Sequence, residues 1–187
     1  MTLAQEECLR LALVTGYDLL RRGISAIDAV QEAIRTMESS GLFNAGRGSR
    51  LQLDGARRMD AALMEGRQLR AGAVAGIEQV RHPISAARLV LDKTPHVLIA
   101  GPSATRLARH FKLDRQAPPT PAQRRKTRAV AQAIGGQRQT VKVFTEMSRE
   151  ETVGAVALDL RGDVAMASRI IVSPMPVMDT APAWLSA

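Results

Sequence analysis

Apolar positions recur at spacings of three and four over residues 3 to 22, which predicts a helix. Leu9, Ala12, Leu13, Gly16, Tyr17 and Leu20 form its expected buried face. Thr2 followed by Gln5 suits a capping box, and Gly23 suits the stop. A second helix is expected from Ser25 to Ser39-Ser40-Gly41, burying Ala26, Ala29, Val30, Ala33, Ile34 and Met37. From 42 to 55 the helical period disappears. Two strands are then predicted, Arg58 to Met64 and Ala71 to Ile77. Pro83 opens a helix over about 84 to 93. His96 to Ala100 reads as a short buried strand, and Ser103 as the cap of a helix ending near His110. Thr152 to Leu160 is a strand, Arg161-Gly162-Asp163 a turn, and Val164 to Ser168 the returning arm of a hairpin. Helices and strands come in groups, which predicts helix layers over a sheet, an α+β class.

Composition narrows the classes. Hydrophobic residues make up 45% of the 187 and charged residues 24%, as in globular domains. Cys8 is the only cysteine, so disulfide scaffolding is excluded and a reduced, cytoplasmic setting is expected. Glu6 and Glu7 interrupt the N-terminal region where an apolar targeting core would sit. No run of about twenty apolar residues suggests a membrane span.

The net charge of +8 raises the question of a polyanion partner. Residues 112 to 151 hold nine basic and four acidic side chains, so most of the excess lies in one stretch. Only Phe111 and Phe144 bring aromatic rings to that region, whereas grooves for single strands interleave aromatics for stacking. The stretch therefore reads as a mobile basic linker, with polyanion or nucleic-acid binding through 112 to 142 as an alternative.

His82, His96 and His110 stand fourteen apart and form no metal-ligand pair. Cys8 lies beside acids, which disfavour a thiolate, so it reads as structural. Gly46-Arg47-Gly48-Ser49 lacks the spacing of a phosphate loop. It reads as a turn needing positive φ angles, or as a loop whose carbonyls hold a monovalent cation. Asp60, flanked by apolar residues, is either exposed or a buried hydrogen-bonded acceptor. Glu151-Thr152 offers a specific chemistry. If the chain is cut before Thr152, one residue carries a hydroxyl nucleophile and a free α-amine whose pKa of about 8 lets it act as base.

The chain resembles the plant-type L-asparaginase and isoaspartyl peptidase family of N-terminal-nucleophile (Ntn) hydrolases. The resemblance is carried by LFNAGRGS at 42–49, MDAALMEG at 59–66, AGAVAGI at 71–77, HPISAARLVLDKTPHVLIAG at 82–101 and TVGAVALD at 152–159. It implies an αββα sandwich, incomplete in this chain. It also implies an α-subunit-like region 1–151, with the linker at about 112–151, and a β-subunit-like region 152–187. Autoproteolysis between Glu151 and Thr152 would free Thr152 as nucleophile. Asn44 matches a position near it, and Ser168 stands where the family has a threonine. Main-chain carbonyls of Glu38, Ser40, Phe43, Ala45 and Arg47 match a sodium-binding loop; no other cofactor is implied. The implied reaction is hydrolysis of the β-amide of L-asparagine or of β-aspartyl dipeptides, by a dimer of αβ units.

Other segments depart from the family. A strand ending in His-Gly-Gly-Ala-Gly precedes the matching region in its members. They carry Gly or Asp where this chain has Glu151. After Ser168 the chain reads Arg169-Ile170-Ile171-Val172 rather than Ser-Thr-Gly-Gly, and nothing matches the Gly-Arg-Val-Gly-Asp-Ser-Pro substrate clamp. The expectation is a copy truncated at both ends, with a frameshift near Arg169 and impaired activity. A non-catalytic remnant associating with itself or with an intact homologue is the other alternative, since an incomplete sheet exposes edges and an apolar face.

Overall fold

The computed structural model describes residues 1–52, 54–133 and 152–168. Its elements are α1 (Leu3–Arg21), α2 (Ala26–Ser40), β1 (Arg58–Glu65), β2 (Arg70–Glu78), α3 (Pro83–Lys93), β3 (Leu98–Ala100), α4 (Gly101–His110), α5 (Pro121–Ala133), β4 (Gly154–Leu158) and β5 (Val164–Ser168). The tail from 169 onward, the expected frameshift region, lies outside the described residues, as do 134–151.

Helix α2 buries the face expected of it: Ala26, Ala29, Val30, Ala33, Ile34 and Met37 are all inside. Ser25 caps it by accepting the Asp28 N–H, and Gly41 closes it at φ 75°. Burying a side chain such as Ile34 or Val30 stabilises the fold by roughly 1.5–3 kcal/mol. Helix α1 starts with the expected reciprocal Thr2–Gln5 capping box. Its buried line differs from the expected one: Cys8, Ala12 and Gly16 face inward. These small residues bring α1 close to α2; a Cβ on Gly16 would lie 3.3 Å from the Ala29 carbonyl oxygen.

The sheet runs β3-β2-β1-β5-β4. β2 and β3 are parallel, joined through α3, and the other pairs are antiparallel. Helices α2, α3 and α4 pack on one face of this sheet. Met59, Ala61, Leu63, Val74, Ala165 and Ala167 point into that core. The architecture is α+β, as expected, and the described residues form one helix layer on one sheet.

Among the described residues the other face is bare. Val156, Leu158, Val164 and Met166 are exposed, the first at 76%. Register places Met64, Met166 and Val156 in one row, and Leu158 beside Val164. At the β4 edge, Leu9, Leu13 and Tyr17 of α1 overhang Gly154–Ala157 and line an apolar groove of about 310 Å³. These three side chains are exposed; among the described residues β4 is the last strand and none lies beneath α1.

Two further expectations are corrected. The His96–Ala100 strand is not buried: only Leu98–Ala100 is strand, and Leu98 is exposed at the opposite sheet edge. Ser103 lies inside α4 and caps nothing; its Oγ accepts from Arg106. Within the stretch read as a linker, Pro121–Ala133 forms helix α5. Thr120 and Gln123 cap it reciprocally, by bonds of 2.9 and 3.2 Å, with Pro121 at the first helical position.

Candidate active site

Thr152 stands at the head of β4 with its side chain exposed, directly before the buried Val153. The small-residue run that follows, Gly154 to Leu158, pairs without a register break with β5. This fixes the backbone on which Thr152 is mounted. Across the hairpin, Ser168 pairs with Gly154, and its Oγ donates to the Val153 carbonyl at 3.5 Å. Thr152 and Ser168 are thus brought to the same end of the sheet. Thr152 makes no hydrogen bond among the described residues. Glu151, the other side of the expected cleavage point, lies outside them.

Asn44 is held in the loop after α2, where its Oδ1 accepts the Arg50 N–H at 3.0 Å. No hydrogen bond joins it to Thr152 among the described residues. The loop is tightly wound. Gly46 adopts φ 49°, and a Cβ there would lie 2.6 Å from the Glu38 carbonyl oxygen. A Cβ on Gly48 would lie 2.1 Å from the Phe43 oxygen and 2.8 Å from the Gly41 oxygen. Gly46 needs the left-handed region as expected; Gly48 does not, and is required instead for close approach. The Phe43 oxygen accepts the Ala45 N–H at 2.7 Å, and the Ala45 oxygen that of Gly48 at 2.9 Å. Each carbonyl keeps a second lone pair. Ser40 ends α2 with its Oγ on the Met37 carbonyl, and Arg47 is exposed. Crowded neutral oxygens suit a hard cation. Among the described residues no group of three His, Cys, Asp or Glu side chains could hold a metal.

The Glu38 side chain has a role not read from the sequence. It is fully buried, and its Oε1 accepts the Ile84 N–H in the first turn of α3 at 3.3 Å. Its Oε2 lies 3.3 Å from Nδ1 of the buried His82. A carboxylate at a helix N-terminus is favoured by the helix dipole. Glu38 thereby ties the end of α2, and the loop after it, to α3. Asp60 is 5% exposed and its Oδ1 accepts the Gly76 N–H at 2.6 Å, beside a register irregularity in β1, so it is the buried acceptor.

The family model described as Asparaginase matches residues 2–169. The chain belongs to this asparaginase family. It is 44% identical over 161 residues to the plant-type L-asparaginase of Pyrococcus furiosus, covering 82% of this chain and 52% of that protein. To the isoaspartyl peptidase of Salmonella typhimurium it is 42% identical over 159 residues, covering 82% and 50%. To the isoaspartyl peptidase/L-asparaginase of Rattus norvegicus it is 37% identical over 166 residues, covering 87% and 48%. The chain spans about half the length of these curated relatives. Among the described residues no helix is long and apolar enough to cross a membrane.

Proposed function

We propose that this chain carries the nucleophile-bearing half of an Ntn amidohydrolase, acting on the β-amide of L-asparagine or of β-aspartyl dipeptides. The observation that supports it most is Thr152: an exposed residue at the head of a small-residue strand, with a second hydroxyl, Ser168, across the hairpin. In the first step the Thr152 hydroxyl attacks the Glu151 carbonyl carbon and the peptide nitrogen leaves as the Thr152 amine. Water then opens the ester, releasing the Glu151 carboxylate.

The freed amine, with a pKa of about 8, accepts the hydroxyl proton as Oγ attacks the substrate amide. Ammonia or the amino-acid product departs with that proton, and water hydrolyses the β-aspartyl ester. Ser168 is proposed to position Thr152 by holding the Val153 carbonyl, and Asn44 to complete the polar surround. The carbonyls of Glu38, Ser40, Phe43, Ala45 and Arg47 would hold a structural sodium ion, which supplies charge for them to turn inward against. The active form is proposed as a cytoplasmic dimer of αβ units.

Purified chain incubated with L-asparagine and, separately, with a β-aspartyl dipeptide tests this reading. Release of ammonia or of free amino acids that disappears in Thr152→Ala supports it. Release unchanged by Thr152→Ala contradicts it.

A further inference from the structure

A second cavity, of about 740 Å³, opens between the turn at 54–57, the end of β2 and the segment leading into α5. Arg57 lines it although it is only 8% exposed. Its Nε donates to the Ser49 carbonyl at 3.1 Å and its Nη1 to the Ala117 carbonyl at 3.4 Å. Both acceptors are neutral. No carboxylate pairs with Arg57 among the described residues, and its Nη2 makes no hydrogen bond there. Burial lowers its pKa with no acid to offset the effect.

Arg88 shows the ordinary alternative: it pairs with Asp28 and Asp92, both at 2.7 Å. The two carboxylates that line the cavity do not serve Arg57. Asp54 and Glu78 are both taken by Arg58, at 2.6 and 3.0 Å.

Two more guanidiniums line the same cavity, and each is likewise tethered to a neutral oxygen. Arg115 donates to Gln79 Oε1 at 3.0 Å, and that oxygen also accepts from Arg109 at 2.8 Å. Arg124 Nε donates to the Pro119 carbonyl at 3.4 Å. Each guanidinium has five N–H donors, so most remain available. A buried cation without a counter-charge is costly, and gathering further cations around it adds repulsion. An anion in the cavity removes both costs.

We propose that this cavity is a binding site for a phosphate or phosphate-monoester group, held by Arg57, Arg115 and Arg124. A tetrahedral dianion turns oxygens toward several guanidiniums at once, whereas a single carboxylate satisfies one fork. Neither Thr152 nor any residue of β4 lines this cavity, so the site stands apart from the amidohydrolase reading. It gives the basic segment a defined recognition role, with the buried Arg57 as anchor.

The test is titration of the full chain with sodium phosphate, followed by calorimetry and thermal melting, against sodium chloride of equal ionic strength and against sodium acetate. The expected result is saturable phosphate binding and a raised melting temperature. Affinity should fall at least tenfold in Arg115→Gln and Arg124→Gln, whose exposed side chains are dispensable for folding, and be lost in Arg57→Met. Arg106→Gln, outside the cavity, should bind as the parent does. Absence of saturable phosphate binding, equal binding by acetate, or affinity unchanged in Arg115→Gln and Arg124→Gln overturns the proposal.

Discussion

The Asp159 carboxylate accepts the backbone N–H of Ala26 at 3.1 Å, across 133 positions of sequence. It thereby closes the N-terminus of α2 from the far end of β4, alongside the local cap from Ser25. Burial pushes the Asp159 carboxyl up, but the N–H groups of Ala26, Arg161 and Asp163 and the Arg161 side chain outweigh it and hold the pKa below the usual carboxylate value of 3.8. Asp28, half-buried, also has its pKa lowered: burial opposes the shift, while Ser25 and Arg88 outweigh it. A depressed folded-state pKa means stability that is present above the unfolded value and lost as pH falls through the folded one. The melting temperature should therefore decline below about pH 4. Asp159→Asn should melt lower at neutral pH and show a shallower acid decline. An acid profile identical to the parent's would contradict this account.

Gly48→Ala places a methyl group 2.1 Å from the Phe43 oxygen, so backbone must move. Denaturant unfolding should show a loss of about 1–3 kcal/mol, as for other overpacked sites. Gly23→Ala is the comparison: its φ is left-handed, at 77°, but nothing lies within 4 Å. Its cost should stay near 1–2 kcal/mol, the strain alone. A cost for Gly48→Ala no greater than that of Gly23→Ala would count against the tight-loop geometry.

The bare sheet face should bind an apolar dye such as ANS. Val156 and Met166 are exposed at 76% and 49%, so Val156→Lys and Met166→Lys remove apolar surface and leave the core packing intact. The double variant should bind less dye and change unfolding free energy by no more than about 0.5 kcal/mol. Dye fluorescence undiminished in the double variant, or no dye binding by the parent, would contradict this.

Ser168→Ala deletes the hydroxyl that reaches the Val153 carbonyl. Stability should change by no more than about 1.5 kcal/mol. Autocleavage and amide turnover should both slow, by roughly ten- to a thousandfold if this hydrogen bond positions the nucleophile. Ser168→Thr should restore the rates. Stability loss without a change in rate would make Ser168 a structural residue only.

Where local periodicity sets a structure, the sequence is a sufficient guide. The inward face of α2 and the Thr2–Gln5 box are decided within a few residues of each other. The inward line of α1 is not, because which face is buried depends on which strands lie under it: among the described residues β4 is the last strand, and Leu9, Leu13 and Tyr17 are exposed beside it. Helix α5 is legible in Thr120-Pro121-Ala122-Gln123, a capping box with proline in its favoured first position. The prolines and charge of that region point instead to a linker, and they mask the cap. Thr152 stands out by its chemistry. Glu38 with Ile84, and Arg57 with Ala117, lie 46 and 60 positions apart, so no spacing rule reaches them.

Mass spectrometry of the purified chain is the most direct test of the central claim, that Thr152 becomes a chain terminus and then the nucleophile. Fragments parted between Glu151 and Thr152, accumulating on incubation in the parent and absent in Thr152→Ala, are the predicted result. A parent chain that stays intact, or a Thr152→Ala chain that is cut equally, would contradict it.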